Sequence, residues 1–276
     1  MRRSRSFRRM GDPGGGLFAF AVAYLLFLYI PVLFLPIFSL NDSIFVTFPL
    51  KGFTTRWYGQ MLADREMINS LSISIRLGGV VAILSTILGL LGAKAVTRYR
   101  MPGKSAVTGL IMLPLFIPEI ILGISLLILI NAAGIPLSLT TVAIGHVTLC
   151  TPFAIAVMTS RLEGFDRSLE EASMDLGETP WMTFWRVTFP LALPGIVSSL
   201  LLTFIVSFDD FLLSFFLAGL EQPLPVYIWN QLRFPNKLPG MLAMGALILI
   251  VSCALVFVAE WVRQIGANGL RKVGVA

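Results

Sequence analysis

The sequence SLEEASMDLGETPWMTFWRVTFPLALPG, residues 168–195, is a polar stretch between two long apolar ones. Its first half carries the adjacent acidic residues Glu170 and Glu171, and its second half contains Pro190 and Pro194. Long apolar runs of about 20 residues predict helices that cross a lipid bilayer. The stretch therefore predicts a charged helical connection at the surface of a membrane, joining two spans.

The composition of the whole chain also predicts a membrane protein. Of its 276 residues, 56% are hydrophobic and 13% are charged, with a mean hydropathy of +0.84. That leaves too little polar surface for a soluble domain. We expect an all-α integral membrane fold, since helices satisfy their own backbone groups in lipid. The expected spans are residues 17–40, 70–96, 106–131, 139–161, 193–220 and 240–262.

The positions of Lys and Arg predict the orientation of the spans. Basic residues are most frequent in the tails 1–16 and 264–276, in the link between the second and third spans, and in the loop 163–190. These segments fall on one side if the chain alternates, and basic loops mark the cytoplasmic side. We therefore expect both termini and the loop 163–190 in the cytoplasm. The net charge of +6 is explained in this way, without nucleic-acid binding.

The loop before the second span lies on the opposite side in this topology. We expect a short helix at the membrane surface that carries Trp57 and Tyr58, followed by Asn69 or Ser70 as the cap of the second span. The first span, 17–40, is longer than the apolar core of a secretory signal, so we expect a retained anchor.

The local pattern of the loop 163–190 predicts a helix, a glycine turn and a second helix. Ser168 and Glu171 have the spacing of a capping box. Gly177 suits the left-handed position that ends a helix, and Pro180 suits the first position of the next one. Pro190 and Pro194 are expected to interrupt the chain before the fifth span.

The same residues resemble the EAA loop of binding-protein-dependent ABC importer permeases. The family pattern is EAA, three residues, G, nine residues, then I-x-L-P, and the spacing here fits it. The matching positions are Glu171, Ala172, Ser173, Gly177, Val187, Phe189 and Pro190, where Ser173, Val187 and Phe189 are conservative departures. The resemblance extends over most of the chain, including six spans and an Asn69-Ser70-Leu71 start to the second span.

The resemblance implies the fold of a type I ABC importer permease with a coupling helix between the fourth and fifth spans. It implies that this helix docks on a separate ATPase through Glu171, Ala172, Ser173, Gly177 and Pro190. The implied partners are two copies of a cytoplasmic ABC ATPase, a second homologous permease, and an extracytoplasmic solute-binding protein. The implied location is a bacterial inner membrane, with multiple spans.

The chain itself is not expected to be an enzyme. Gly103, Lys104 and Ser105 resemble the end of a phosphate-binding loop, but the glycine required five positions earlier is Arg98. ATP is therefore expected to bind to the partner ATPase, and no cofactor is expected in this chain. The sequence contains no recognisable catalytic motif. No metal site is predicted either, since the two cysteines, Cys150 and Cys253, each lie in an apolar run.

Charged residues and the single histidine fall well inside the expected spans, at Arg76, Glu119, His146, Asp209 and Asp210. Such a residue costs about 2.5–3.5 kcal/mol near the bilayer centre, so it either pairs with another group or lines a path. Neighbouring residues on a helix point about 100° apart, so Asp209 and Asp210 cannot both face one contact. Pairing of either with Arg76 is one alternative, and a solute path is the other. Arg76 and His146 remain open between a structural role and a place on the path.

A path lined by Glu119, Asp209 and Asp210, flanked by Phe208 and Phe211, suits a cationic solute. The stretches FDD and PEIILGISLL are most similar to the C-type subunit of spermidine/putrescine permeases. A polyamine is therefore the expected solute. The alternatives are a permease for ferric iron, thiamine or an opine-like amino acid derivative, and a stand-alone transporter coupled to protons.

Overall fold

The computed structural model describes residues 13–99 and 102–272, and the arginines of the predicted N-terminal tail lie outside this part, as does the end of the predicted C-terminal tail. Most of the described backbone is helical, because long apolar runs satisfy their backbone groups within the helix. The α-helices are α1 Pro13–Ser39, α2 Arg56–Ala63, α3 Arg65–Arg98, α4 Lys104–Met112, α5 Glu119–Ala132, α6 Leu139–Glu163, α7 Ser168–Asp175, α8 Pro180–Thr183, α9 Phe189–Asp209, α10 Leu212–Leu217, α11 Leu224–Gln231 and α12 Leu238–Lys272.

Five helical stretches of the described residues are long and apolar enough to cross a membrane, and a sixth crossing results if one bent pair counts as a single span. The predicted all-α membrane fold is confirmed. The stretches are Gly16–Ser39, Arg65–Arg98, Leu139–Glu163, Pro180–Asp209, Leu238–Phe257 and the pair Lys104–Leu115 with Glu119–Ala132.

The bent pair replaces the single helix expected over residues 106–131. Its two halves meet at an angle of 99°, and Pro118 stands between them with an extended ψ of 129°. Proline has no backbone N–H to continue a helix, and it forces the preceding residue out of the helical region. The first half therefore ends before Pro118, and α5 starts afresh at Glu119.

The fifth span also differs from the expected 193–220. Its helix runs from Pro180 to Asp209 without a break, so the expected interruption at Pro190 and Pro194 was wrong, and Pro194 lies inside α9. A π turn over Phe184–Thr188 precedes α9 and leaves Pro190 in the first turn of that helix, where a missing N–H is tolerated. The interruption lies instead at Asp210, whose extended backbone (φ −66°, ψ 119°) separates α9 from α10.

The second span begins earlier than expected, and its cap is a different residue. Asp64 caps α3, because its Oδ1 accepts hydrogen bonds from the backbone N–H groups of Glu66 (3.1 Å) and Met67 (3.2 Å). The expected cap at Asn69 or Ser70 was therefore wrong. The expected short helix before it is α2, and the Trp57 indole donates to the carbonyl oxygen of Asn41 at 2.8 Å.

Helices α3, α6 and α9 form the core of the compact unit that contains residues 64–233. At the crossing of α3 and α6, Gly89 faces Ala154 so closely that a Cβ on Gly89 would lie 2.5 Å from the Cβ of Ala154. The hydroxyls of Thr86 on α3 and Ser199 on α9 are 3.1 Å apart and hydrogen-bonded. Small and hydroxylated residues at such crossings let helices approach and bond in lipid.

Gly89→Ala should lower the stability of the folded chain by about 1–3 kcal/mol, because α3 and α6 must move apart to admit the methyl group. Gly79→Ala is the matched control, since a Cβ there meets no atom within 4 Å and alanine is the better helix former. Thermal unfolding of the purified complex in detergent gives the melting temperature of each variant. Equal melting temperatures for the two variants would contradict the close crossing.

Candidate functional site

The connecting segment, residues 163–190, joins α6 to α9 through α7 and α8. Gly177 ends α7 with φ +94°, and its N–H donates to the carbonyl oxygen of Met174 at 2.9 Å. Thr179 then caps α8 by accepting from the N–H of Met182 at 3.3 Å, and Pro180 occupies the first helical position. The expected helix, glycine turn and second helix are confirmed.

The start of α7 is capped differently from the prediction. Ser168 is already the first helical residue and makes no capping box with Glu171. The carboxylate of Asp166 takes that place by accepting the N–H of Ser168 at 2.9 Å. This backbone hydrogen bond holds the pKa of Asp166 below its usual range. Glu171 instead pairs with Arg167, with 3.2 Å between Oε1 and Nε, on the exposed side of the helix.

The other residues expected to couple the chain to an ATPase lie at different depths. Ala172 is exposed on α7, and Ser173 is half-buried. The Ser173 hydroxyl is 3.1 Å from the hydroxyl of Thr183, which ties α7 to α8. Pro190 is exposed near the start of α9. The structure therefore brings Glu171, Ala172 and Ser173 together on α7, while Pro190 lies on the following helix.

Sequence reasoning missed Glu170, which is the buried acid of the segment. Its residue exposure is 8%, with Oε2 2.8 Å from Arg98 Nε and Oε1 accepting a 2.6 Å hydrogen bond from the Thr188 hydroxyl. The available signal was only that adjacent residues on a helix point about 100° apart, so the two acids of the pair need not share one surface. Glu171 faces solvent, and Glu170 faces the helix bundle.

The exposed side of the segment is apolar to an unusual degree. Leu176 is 86% exposed, Trp181 66% and Trp185 46%. The rings of Trp181 and Trp185 contact each other, with centroids 5.7 Å apart. Large apolar side chains grouped on a surface mark a contact with another protein or with the membrane.

A second group of functional candidates, here called the acidic break, consists of Glu119, Asp209, Asp210 and His146. Asp210 is 7% exposed. Its Oδ1 accepts hydrogen bonds from the N–H groups of Leu213 (3.0 Å) and Ser214 (3.2 Å), which are otherwise unpaired at the start of α10. Its Oδ2 is buried without a protein hydrogen-bond donor in the described part of the chain.

His146, on α6, lies beside Asp210 and is fully buried. Its Nε2 is 3.3 Å from Asp210 Oδ1 and 3.2 Å from the Ser214 hydroxyl, and its Nδ1 is 2.8 Å from the Ser207 hydroxyl. Both ring nitrogens are therefore engaged, so His146 orients Asp210 and holds α6 against α9 and α10.

The remaining carboxylates differ in exposure. Glu119 is half-buried at the first position of α5 and lies near Asp210, so two broken helices meet at their acidic residues. Asp209 is exposed, in contrast to the adjacent Asp210. Asp209 is thus the one acid of the pair that is accessible to another molecule.

Arg76 does not join this group. Its Nε donates to its own helix at the carbonyl oxygen of Ser72, 3.2 Å away, and it pairs with no carboxylate within residues 13–99 and 102–272. Arg76 instead lines a cavity of about 740 Å³ between α3 and α6, together with Glu221 and Thr140. The alternative that paired Arg76 with Asp209 or Asp210 was therefore wrong.

Comparison with known proteins gives a family match and several relatives. Residues 85–264 match the model of the family described as "Binding-protein-dependent transport system inner membrane component". The chain is 38% identical over 231 residues to the putrescine transport system permease protein PotI of Escherichia coli, covering 81% of this chain and 82% of that protein. It is 34% identical over 247 residues to the spermidine/putrescine transport system permease protein PotC of Haemophilus influenzae, covering 89% and 95%.

Solved structures show the same fold. A chain from the crystal structure of a bacterial ABC transporter involved in the import of the acidic polysaccharide alginate superposes with a TM-score of 0.69 at 19% identity, covering 95% of this chain and 99% of that one. A chain from the inward-facing MetNI methionine ABC transporter gives 0.56 at 19% identity, covering 78% and 99%.

Proposed function

The chain belongs to the family of binding-protein-dependent transport system inner membrane components and is therefore the permease subunit of an ABC importer, and we propose that it forms half of the path for a small cationic solute. We further propose that this solute is a polyamine. The chain is a multi-pass inner-membrane protein and is not itself an enzyme. Its family works with an ATPase and a periplasmic binding protein. The alternative of a stand-alone transporter coupled to protons is therefore abandoned.

The observation that carries the proposed solute class is the exposed carboxylate of Asp209 at a break between two helices. A broken helix within a membrane places unpaired backbone groups and polar side chains beside the transport path. A carboxylate there attracts an ammonium group through charge pairing, and the adjacent Phe208 adds an aromatic face. Similarity to permeases named for putrescine and spermidine over four fifths of the chain supports the same solute class.

The two other carboxylates have distinct proposed roles on the path. Asp210 carries negative charge to the break, although two helix N–H groups and His146 engage one of its oxygens. Glu119 adds a second carboxyl from α5 near Asp210. The three residues together make the break acidic, with Asp209 as the direct contact for solute and Glu119 as a further contact on the path.

The proposed transport cycle begins at the connecting segment. Both termini and this segment lie on the cytoplasmic side, where two ATPase copies bind, one of them to α7 of this chain. Glu171, Ala172 and Ser173 form the docking face, Gly177 sets the turn that follows it, and Pro190 lies where the segment enters α9. Closure of the ATPase pair moves the segment and switches the bundle, with a second homologous permease, between inward-facing and outward-facing packing.

Deletion of this chain should abolish uptake of radiolabelled putrescine in a strain that has no other putrescine importer, and a plasmid copy should restore it. Ferric iron, thiamine and opine uptake, measured in the same cells, should stay at the parental rate. Loss of iron uptake with normal putrescine uptake would contradict the polyamine proposal and favour an iron permease.

A further inference from the structure

Glu170 lies where the ends of three core helices meet the connecting segment. Arg98, its ion-pair partner, is the last residue of α3. The guanidinium of Arg98 also donates from Nη2 to the carbonyl oxygen of Leu162 near the end of α6, at 3.2 Å, and stands 4.9 Å from the ring centre of Phe165. Thr188, the other partner of Glu170, is the last residue of the π turn before α9.

These contacts make one continuous chain of polar links. They run from α7 through Glu170 to α3 and α6 by way of Arg98, and from Glu170 to α9 by way of Thr188. The side chains of Glu170 and Arg98 are about nine-tenths buried, at 10% and 11% exposure. Burial weakens screening by water and salt, and a buried charge that loses its partner is strongly destabilising. The contacts of Glu170 with Arg98 and Thr188 therefore hold α7 in one position relative to α3 and α9.

The other contacts of α7 are weaker by comparison. The ion pair between Glu171 and Arg167 lies within one helical turn and is more than half exposed, so it contributes little. The contact between Ser173 and Thr183 reaches only α8. Among the hydrogen bonds and ion pairs of α7 side chains with the rest of the described chain, those of Glu170 are the ones that reach α3 and the start of α9.

We propose that Glu170 is the positioning residue that transmits movement of α7 to α3, α6 and α9, so that its contacts with Arg98 and Thr188 couple ATP hydrolysis to the switching of the path. This inference rests on the proposed function, since it requires an ATPase to move α7. The exposed residues of α7 bind the ATPase, and Glu170 transmits the displacement of α7 to the core helices. Rigid elements joined by packed and hydrogen-bonded contacts carry such coupling.

The test uses the whole importer, with the second permease, the ATPase and the binding protein, reconstituted in proteoliposomes with putrescine and ATP. The quantity measured is putrescine transported per ATP hydrolysed, alongside the amount of assembled complex. Glu170→Gln keeps the size of the side chain and removes its charge. Thr188→Val keeps the shape and removes only the link to α9.

We expect Glu170→Gln to lower putrescine transported per ATP by about tenfold, and Thr188→Val by about threefold, while ATP hydrolysis continues. Two controls should stay within about twofold of the parent. Thr97→Val removes a hydroxyl that bonds only within α3, to the carbonyl oxygen of Ala93, and Glu66→Gln removes an exposed carboxylate from the first turn of α3.

Assembled complexes of both test variants with the parental transport per ATP would overturn the inference. Failure of both variants to assemble would also overturn it, since the contacts would then be structural only. If Glu170→Gln alone fails to assemble, Thr188→Val decides. A parental complex without ATP-driven putrescine transport would count against the proposed solute instead, which separates the two failures.

Discussion

Replacing Asp209 with alanine should lower ATP-driven putrescine uptake by about tenfold or more. The Asp209 carboxylate is exposed at the break between α9 and α10, and a hydrogen bond to a charged group contributes about 1.5–3 kcal/mol. Loss of that contact should raise the KM for putrescine. The melting temperature of the purified complex should stay close to that of the parent, because Asp209 bridges no two helices in the described residues.

Asp210→Ala is the matched comparison for this prediction. It leaves the N–H groups of Leu213 and Ser214 and the ring of His146 without their buried acceptor, which costs about 1–3 kcal/mol per group. We expect a lower melting temperature and less assembled complex. Normal putrescine uptake by Asp209→Ala would show that this residue does not contact the solute.

Gly177→Val should abolish ATP-coupled uptake while the chain still inserts into the membrane. The backbone of Gly177 has φ +94°, a region that costs residues with a Cβ about 1–2 kcal/mol and β-branched residues more. A Cβ at this position meets no atom within 4 Å, so the defect is not a steric clash. The turn must instead change its direction, which moves α7 away from its docking position.

Gly177→Asn is the control for that prediction, because asparagine tolerates left-handed backbone better than any other residue with a side chain. It should retain most of the uptake measured for the parent. Membrane fractions probed for the chain, together with co-purification of the ATPase, separate loss of docking from loss of insertion. Equal uptake by the valine and parental chains would count against a role of this turn in coupling.

The all-α fold can be predicted from the sequence, because the length of an apolar run is enough to identify a helix that spans a membrane. The turn at Gly177 follows as well, since few residues adopt its backbone conformation. The caps do not follow in the same way. Ser168 and Asn69 are good capping residues by type, yet Asp166 and Asp64 take those places. Several acceptors within one turn compete for the same N–H groups, and tertiary packing decides between them.

The identity of the important acid in each adjacent pair was also beyond the sequence. Glu170 and Glu171 have the same chemistry, as do Asp209 and Asp210, and a helical period shows only that the two members of a pair point apart. Which member is buried depends on Arg98 and His146, which are 72 and 64 residues away from Glu170 and Asp210 along the chain. Contacts between distant helices therefore assign the roles.

The π turn at Phe184–Thr188 sets the rotation of α9 relative to the start of its continuous helix. A π turn holds one residue more than an α turn. If the same residues formed regular α turns, the 21 residues of α9 would rotate by about 100° relative to α8. Either Thr188 would then point away from Glu170, or Asp209 would lose its exposed position. The π turn therefore allows one unbroken helix to meet the connecting segment at one end and to expose a carboxylate at the other.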